Sequence, residues 1–129
     1  MVHSFTGTAE ELQQILRTGL YLGLNGCSLK TAENLSVLRS IPYPHHRILL
    51  ETDAPYCGIH RSSPAHSFVH TRFEECRKEQ YAEGMVVKTR TEPAHVVQVL
   101  EAIAGIWGVD EAVVADESYQ STRKLFGLL

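Results

Sequence analysis

The stretch ILLETDAPY, residues 48–56, joins a buried strand to two carboxylates and a proline. Successive residues of a strand point to opposite faces, so Glu51 and Asp53 are expected on one side, where their charges repel. Such a pair persists where a cation, a proton or a water-filled opening stabilises it. The stretch therefore predicts a strand that ends at a polar site.

Strand and helix signals alternate in the residues before Asp53. Thr8 and Glu11 have the spacing of a capping box, which satisfies the free amide groups at a helix start. A second helix is expected from about Thr31 to before Pro42, because proline disfavours helical geometry in the preceding residue. This alternation predicts an α/β fold with parallel strands, right-handed crossovers and sites at the carboxyl ends of the strands. The expected strands are residues 2–5, 20–24 and 47–51, and the expected core-facing helix residues are Leu12, Ile15, Leu16, Leu35 and Leu38.

Residues 54–91 break this alternation. They are polar, with several prolines and glycines, and predict a long loop excursion with one helical stretch over residues 68–81. Order returns at Pro93, which suits a first helical turn, and this helix is expected to end at Gly108. Asp110 is expected to cap a short helix, followed by a last helix over residues 117–126. The apolar stripe expected on the helix after Pro93 consists of Val96, Val97, Leu100, Ile103, Ala104 and Trp107.

Composition limits the classes of function. The 129 residues suit one domain, and 43% hydrophobic residues suffice for a core. The net charge of -3 excludes a global basic field, so a polyanion would have to meet local positive charge or metal. Three cysteines without a pairing pattern favour a reducing compartment, the cytoplasm or the nucleus. No apolar run is long enough to cross a membrane, and no signal peptide is apparent, so no membrane partner is expected.

Polar residues follow each of the three expected strands. His3 lies at the end of the first, Asn25 and Cys27 come after the second, and Glu51 and Asp53 come at the end of the third. An imidazole and a carboxylate on neighbouring strand ends could share a divalent cation. The same spacing is also compatible with Asp53 simply capping the turn that follows it.

Other candidate residues have two readings each. Lys88 and Arg90 precede the helix at Pro93, where they could bind a phosphate or remain solvated surface charges. Tyr56 could stack on a nucleic-acid base or pack against the protein. Cys27 has no apparent partner base, so a nucleophilic role is not expected. Cys57, His60, His66 and His70 are not expected to form a zinc-binding loop, because their spacing matches no standard zinc finger.

Longer motifs resemble a known family. The segments HSFTGTAEEL (3–12), GLYLGLNGCSLKT (19–31) and ILLETDAPYCG (48–58) resemble, in this order, the TatD family of metal-dependent deoxyribonucleases, especially its eukaryotic branch. The segments TRTEPAHVVQVLEAIA (89–104) and YQSTRKLFG (119–127) are similar to the segments that close sequences of that family. The resemblance covers essentially the whole chain.

The resemblance implies a fold and a chemistry. TatD enzymes are TIM-type (β/α)8 barrels of the amidohydrolase kind that hold one or two divalent metal ions, Mg²⁺, Mn²⁺ or Zn²⁺. They hydrolyse DNA phosphodiester bonds, often from an end. By this resemblance His3 is a metal ligand, Asp53 is a metal ligand and proton acceptor, and Glu51 assists beside it. Lys88, Arg90 and Tyr56 are the expected substrate-binding residues.

The resemblance also implies what the chain lacks. Residues 1–129 match about the last three barrel strands and the C-terminal helices, as a single C-terminal portion. Only two of the family's six usual metal ligands are then present, and open barrel edges favour self-association. Thr91 and Ser121 stand where the family usually has asparagine, and the loop after Cys57 reads Ser62-Ser63-Pro64-Ala65 in place of the usual histidine-containing segment.

Three classes of function remain open from the sequence. The first is DNA hydrolysis as part of a complete barrel, with the chain alone inactive. The second is a non-catalytic truncated fragment that only self-associates or pairs with a partner. The third is an amidase-type activity on a non-nucleic substrate, since this barrel hosts many chemistries.

Overall fold

The computed structural model of the protein describes residues 1–128. Its four α-helices are α1 (Ala9–Arg17), α2 (Ala32–Arg39), α3 (Val96–Trp107) and α4 (Glu111–Phe126). Its four strands are β1 (Leu22–Leu24), β2 (Ile48–Leu50), β3 (Glu75–Cys76) and β4 (Val86–Val87). Short 3-10 turns cover Cys27–Leu29, Pro64–Phe68, Lys78–Gln80 and Pro93–His95.

The N-terminal half contains three adjacent parallel segments. β1 pairs in parallel with β2, with Leu22 opposite Ile48, and Val2 forms a parallel bridge to Leu22 on the other side. The Gly23 amide donates to the Val2 carbonyl at 2.8 Å, and the Glu51 amide donates to the Leu24 carbonyl at 2.9 Å. The predicted parallel α/β alternation is therefore confirmed, although each strand is shorter than expected and the first is a single-residue bridge.

Helix caps and a shared core position these strands. Thr8 with Glu11, and Thr31 with Asn34, form capping boxes at the starts of α1 and α2. α4 packs against β2 and α3. Leu12, Leu35 and Leu38 are buried as expected, and burial on this scale stabilises a leucine by roughly 1.5–3 kcal/mol. The core also includes Leu22, Leu24, Ile48, Ile103 and Val114.

The predicted helix over residues 68–81 is wrong. Pro64–Phe68 forms a 3-10 turn, and the chain then runs extended into β3, which pairs in parallel with β4. The Val86 amide donates to the Glu74 carbonyl at 2.9 Å, and the Lys88 amide donates to the Cys76 carbonyl at 3.0 Å. The pairing of β3 with β4 holds this segment in an extended conformation. The periodicity of residues 68–81 alone does not indicate that pairing.

The two C-terminal helices differ from expectation in detail. Residues after Asp110 form one 16-residue helix instead of two, because the Asp110 carboxylate caps it at Ala112 and no glycine or proline interrupts it before Gly127. On α3 the buried face runs through Val99, Ile103 and Ile106, whereas Val96 of the predicted stripe is exposed. α3 is apolar nearly all round, so periodicity could not select the face. None of the helices within residues 1–128 has the length and apolarity needed to cross a bilayer.

Candidate metal centre

The three parallel segments bring three potential metal ligands together at their carboxyl ends. His3 Nε2 lies 3.3 Å from Asp53 Oδ1 and 3.7 Å from Glu51 Oε1. One ligand atom from each of these side chains lies within 4.8 Å of the other two, and they are the only such trio within residues 1–128. The expected convergence of Glu51 and Asp53 on one side of the strand end is therefore observed.

Ser4 links all the polar residues of this centre. Its Oγ lies 2.7 Å from Asp53 Oδ2, 2.7 Å from Asn25 Nδ2 and 2.8 Å from His3 Nδ1. Its backbone amide donates to Glu51 Oε2 at 3.0 Å. Asn25 is fully buried, and its Oδ1 accepts from the amides of Cys27 and Ser28, which fixes its Nδ2 as the donor to Ser4.

Because the Ser4 hydroxyl has a single proton to donate, its contacts show that His3 Nδ1 is protonated. The hydroxyl has one proton, and the Asp53 carboxylate can only accept, so the Ser4 Oγ–H donates to Asp53 Oδ2. The lone pairs of Ser4 Oγ then accept from Asn25 Nδ2–H and from His3 Nδ1–H. His3 therefore carries a proton on Nδ1, and when the ring is neutral its Nε2 lone pair faces the two carboxylates, where a cation can bind.

Glu51 has an oxygen that no donor satisfies. Its Oε1 is buried and has no hydrogen-bond partner within the described part of the chain. Burial raises the pKa of Glu51 above its ordinary value of 4.5, although the hydrogen bond from the Ser4 amide lowers it. A side chain at position 23 would collide with this oxygen, so Gly23 makes room for the carboxylate between the strand ends.

Two residues of the centre have a left-handed backbone. The φ angle is 49° at Ser4 and 48° at Asp53, a region that non-glycine residues adopt at a cost of about 1–3 kcal/mol. At Asp53 this turn directs the carboxylate back toward His3. The strained backbone at Ser4 and Asp53 indicates that the surrounding packing holds both residues in this conformation.

These residues fit a divalent cation. His3 Nε2 faces both Glu51 Oε1 and Asp53 Oδ1, and a cation bound among these three side chains would offset the repulsion between the two carboxylates. Ligand bonds of about 2.1 Å in a tetrahedral site place donor atoms about 3.4 Å apart. The observed separations of 3.3 and 3.7 Å lie close to that value. Imidazole and carboxylate donors suit Zn²⁺, Mn²⁺ and, through the carboxylates, Mg²⁺.

A groove opens beside this centre, and we call it the excursion groove. It has a volume of about 900 Å³ and is lined by residues 26–27, 55–61 and 86–91 with Lys30, Arg72 and Phe73, among others. The three expected substrate-binding residues all line it. Tyr56 is 76% exposed, so the alternative that its ring packs against the protein is wrong. Lys88 is exposed, and Arg90 forms an ion pair of 3.2 Å with Glu92.

The remaining cysteine and histidine candidates do not form a second ligand set. Burial, the neighbouring Cys27 and Asp53 raise the pKa of the Cys57 thiol to about 11, which disfavours a nucleophilic thiolate. His70 instead lies between Glu101 and Glu111, with its Nε2 2.8 Å from Glu111 Oε1. His60 and His66 line the excursion groove.

Sequence reasoning missed the central position of Ser4. Its neighbour His3 was a candidate because it lies at the end of an expected strand. The same position at a strand end is the only sequence signal that could have identified Ser4. The contribution of Asn25 was visible only as a polar residue at a strand end. Its complete burial and its hydrogen bond to Ser4 depend on tertiary contacts.

Sequence comparisons relate the chain to one family. The sequence model of the family described as TatD related DNase matches residues 1–127. The chain is 39% identical over 127 residues to the Deoxyribonuclease Tat-D of Schizosaccharomyces pombe, a match covering 97% of this chain and 40% of the relative. It is 30% identical over 129 residues to the 3'-5' ssDNA/RNA exonuclease TatD of Enterobacter lignolyticus, covering 99% of this chain and 42% of the relative. The chain thus spans about two fifths of the length of these relatives.

Solved structures give the same relationship. A TatD family hydrolase from Entamoeba histolytica superposes with a TM-score of 0.85 at 31% identity, over 95% of this chain and 40% of that one. An amidohydrolase from Saccharomyces cerevisiae superposes with a TM-score of 0.81 at 36% identity, over 95% of this chain and 38% of that one. The predicted fold class, part of a TIM-type (β/α)8 barrel of the amidohydrolase kind, is confirmed by these similarities.

Proposed function

This chain belongs to the TatD related DNase family, and from that premise we propose that it contributes to a site for metal-dependent hydrolysis of DNA phosphodiester bonds in a complete TatD-type barrel. The observation that carries the proposal is the convergence of His3, Glu51 and Asp53, each of which has one ligand atom within 4.8 Å of a ligand atom of the other two. They lie at the carboxyl ends of parallel strands, the edge where barrel enzymes of this type place their chemistry.

His3 and Asp53 are the proposed metal ligands, and Asp53 and Glu51 are the proposed catalytic carboxylates. When bound, one or two divalent cations such as Mg²⁺, Mn²⁺ or Zn²⁺ lower the pKa of water and offset the negative charge of the phosphodiester. Ser4 holds Asp53 through Oδ2, which leaves Oδ1 directed into the centre. Asp53 can therefore orient an attacking water and accept its proton. Glu51 orients the centre through the Ser4 amide.

The excursion groove supplies the proposed substrate contacts. Lys88 and Arg90 can donate to phosphate oxygens, and the exposed ring of Tyr56 can stack on a base beside the metal centre. Cleavage from a strand end is supported by the exonuclease name of the bacterial relative. We place this function in the cytoplasm or nucleus, where nucleic acid and a reducing environment coincide.

The second candidate is a non-catalytic fragment that self-associates. Within residues 1–128, β2 and the segment at Val2 each pair with β1 alone, so both outer edges carry unpaired backbone groups. The two proposed ligands, His3 and Asp53, also hold a metal less firmly than the six that the family resemblance implies. We therefore expect the chain by itself to hydrolyse DNA at trace rates and its full activity to require the rest of a barrel.

A chimera separates these two candidates. Residues 1–129 replace the matching segment of the Schizosaccharomyces pombe relative, and hydrolysis of a 5′-labelled single-stranded oligonucleotide is followed with Mg²⁺ or Mn²⁺. The hydrolase proposal expects turnover that depends on metal and on Asp53. A chimera that folds but fails to hydrolyse DNA, while the unmodified relative succeeds, would support the non-catalytic fragment.

A further inference from the structure

Two cysteines meet beside the metal centre. Cys27 comes after β1 and Cys57 comes after β2, and these two strands pair with each other. The backbone at Gly26 packs directly on the loop after β2, since a Cβ built on Gly26 would collide with the Cys57 carbonyl. The Cys57 thiol lies within hydrogen-bonding reach of both the thiol and the backbone amide of Cys27. The pairing of β1 with β2 therefore brings together two thiols that are far apart in the sequence.

A small oxidant can reach both thiols of this pair. Cys27 and Cys57 are free cysteines, are partly exposed and line the excursion groove. The third cysteine, Cys76 in β3, is buried, and its sulfur lies 3.6 Å from the Val86 carbonyl oxygen. Position and access therefore single out Cys27 and Cys57 as a pair, and Cys76 serves as an internal reference.

The cysteine pair is connected to the metal centre on both sides. The Cys27 amide donates to Asn25 Oδ1 at 2.9 Å, and Asn25 Nδ2 donates to Ser4 Oγ at 2.7 Å. Ser4 Oγ donates in turn to Asp53 Oδ2 at 2.7 Å, and the turn after Asp53 leads to Cys57. A bond between the two sulfur atoms would therefore close a ring that includes the polar residues of the centre.

We propose that Cys27 and Cys57 form a reversible disulfide, made by exchange with a small-molecule disulfide such as oxidised glutathione, which links the ends of β1 and β2. One protein thiolate attacks a sulfur of the oxidant and releases one small thiol, which leaves a mixed disulfide on the protein. The second protein thiol loses its proton and attacks the first protein sulfur, which releases the second small thiol. The protein gives up two protons and two electrons, and the oxidant is reduced to two thiols.

The environment of Cys57 makes this exchange slow. Burial, with a smaller contribution from Cys27, raises the pKa of the Cys57 thiol to about 11, so little thiolate is present at neutral pH. The pair is therefore suited to follow the redox state of the small-thiol pool over long times and not to intercept a brief oxidant pulse. The exchange needs neither metal nor substrate, so it stands or falls separately from DNA hydrolysis.

Equilibration of the full chain with reduced and oxidised glutathione in EDTA tests the inference. EDTA removes any metal ion that the thiols could hold. After acid quenching and alkylation, mass spectrometry should find a disulfide between Cys27 and Cys57 within one chain, with Cys76 alkylated. Doubling reduced glutathione at constant oxidised glutathione should lower the ratio of disulfide to dithiol about fourfold, whereas a mixed disulfide with glutathione would fall about twofold.

Thermal unfolding measures the link itself. A bond that closes the segment 27–57 restricts the unfolded chain, so the oxidised chain should unfold about 5–15 °C above the reduced chain. C27S and C57S should lose this shift and hold glutathione on the remaining cysteine of the pair, whereas Cys76→Ala should keep the shift. The glutathione titration uses the unchanged chain, so it stays decisive if a variant fails to fold.

Four results would overturn the inference. Three of them concern the bond: a glutathione adduct as the end product, a disulfide that includes Cys76 or joins two chains, and a dithiol that persists in a large excess of oxidised glutathione. The fourth is a disulfide between Cys27 and Cys57 without a rise in the unfolding temperature, because that result would contradict a link between folded strand ends.

Discussion

Ser4→Ala probes the link that joins the three strand ends. The substitution removes one oxygen and, with it, the hydrogen bonds to Asp53 Oδ2, Asn25 Nδ2 and His3 Nδ1. The Asn25 amide is then buried without an acceptor, which costs about 1–3 kcal/mol of the free energy of unfolding. Asp53 and His3 also lose the contact that orients them, so affinity for Mn²⁺ should fall by about 10- to 100-fold.

Two assays measure the two effects of Ser4→Ala on the full chain. Urea unfolding gives the change in stability, and electron paramagnetic resonance of Mn²⁺ gives the change in metal affinity. Ser67→Ala is the matched control, because Ser67 donates to the Pro64 carbonyl on the surface, away from the centre. We expect the control to stay within about 0.5 kcal/mol of the original protein in stability.

The His3 tautomer offers a test that needs no metal. The hydrogen bonding of Ser4 requires a proton on His3 Nδ1, which the ¹⁵N shifts of the ring report directly. Ser4→Ala should release this preference. A His3 ring without a proton on Nδ1 in the unchanged protein, or metal affinity within twofold of normal in Ser4→Ala, would refute the reasoning about Ser4.

Three more predictions concern stability and assembly. Glu101→Gln should cost about 1–3 kcal/mol in urea unfolding, because the buried Glu101 carboxylate accepts from the amides of His70 and Thr71 and anchors residues 54–91 to α3. Glu83→Gln is the control, because Glu83 is exposed, and equal losses in the two variants would contradict the anchor. Stability should fall as pH drops below about 4.5. Burial raises the pKa of Glu101 and Glu117, but hydrogen bonds from Thr71 to Glu101 and from His45 to Glu117 outweigh it and hold each pKa below the ordinary value of 4.5. The unfolded chain therefore takes up protons first as the pH falls. Urea unfolding from pH 7 to 3 measures this loss, and Glu117→Gln should reduce it; an unchanged pH profile would argue against the assignment. Because the edges at β2 and Val2 are unpaired, light scattering of the chain should show dimers or larger species, whereas a monomer at all concentrations would count against edge pairing.

The fold could be predicted from the sequence where local signals agreed with the tertiary packing. The capping residues Thr8 and Thr31 marked the starts of two helices. The alternation of these helices with apolar strands predicted the parallel order correctly. The predicted helix over residues 68–81 failed because this segment contains β3, which is held extended by pairing with β4, and the periodicity of the segment does not indicate that pairing. The buried face of α3 could not be selected from a helix that is apolar nearly all round.

The candidate centre was accessible from the sequence only in part. His3, Glu51 and Asp53 were found because they lie at or near the ends of expected strands, and the ends of parallel strands share an edge. Ser4 was not found, because its importance arises from a left-handed backbone and contacts to residues up to 49 positions away. The excursion groove was visible from the sequence only through Tyr56, Lys88 and Arg90, because the segments that line it are separate in the sequence and meet only in the fold.

Hydrolysis by the chimera that contains Asp53→Asn tests the central claim most directly. Asparagine keeps the shape of the side chain but removes its charge and its capacity to accept a proton. Turnover of a short single-stranded DNA at saturating Mn²⁺ should fall by about 10²- to 10⁴-fold, and Glu51→Gln should cost about 10- to 100-fold. If Asp53 only capped the following turn, asparagine would replace it with little loss, so near-normal turnover of the Asp53→Asn chimera would contradict the account.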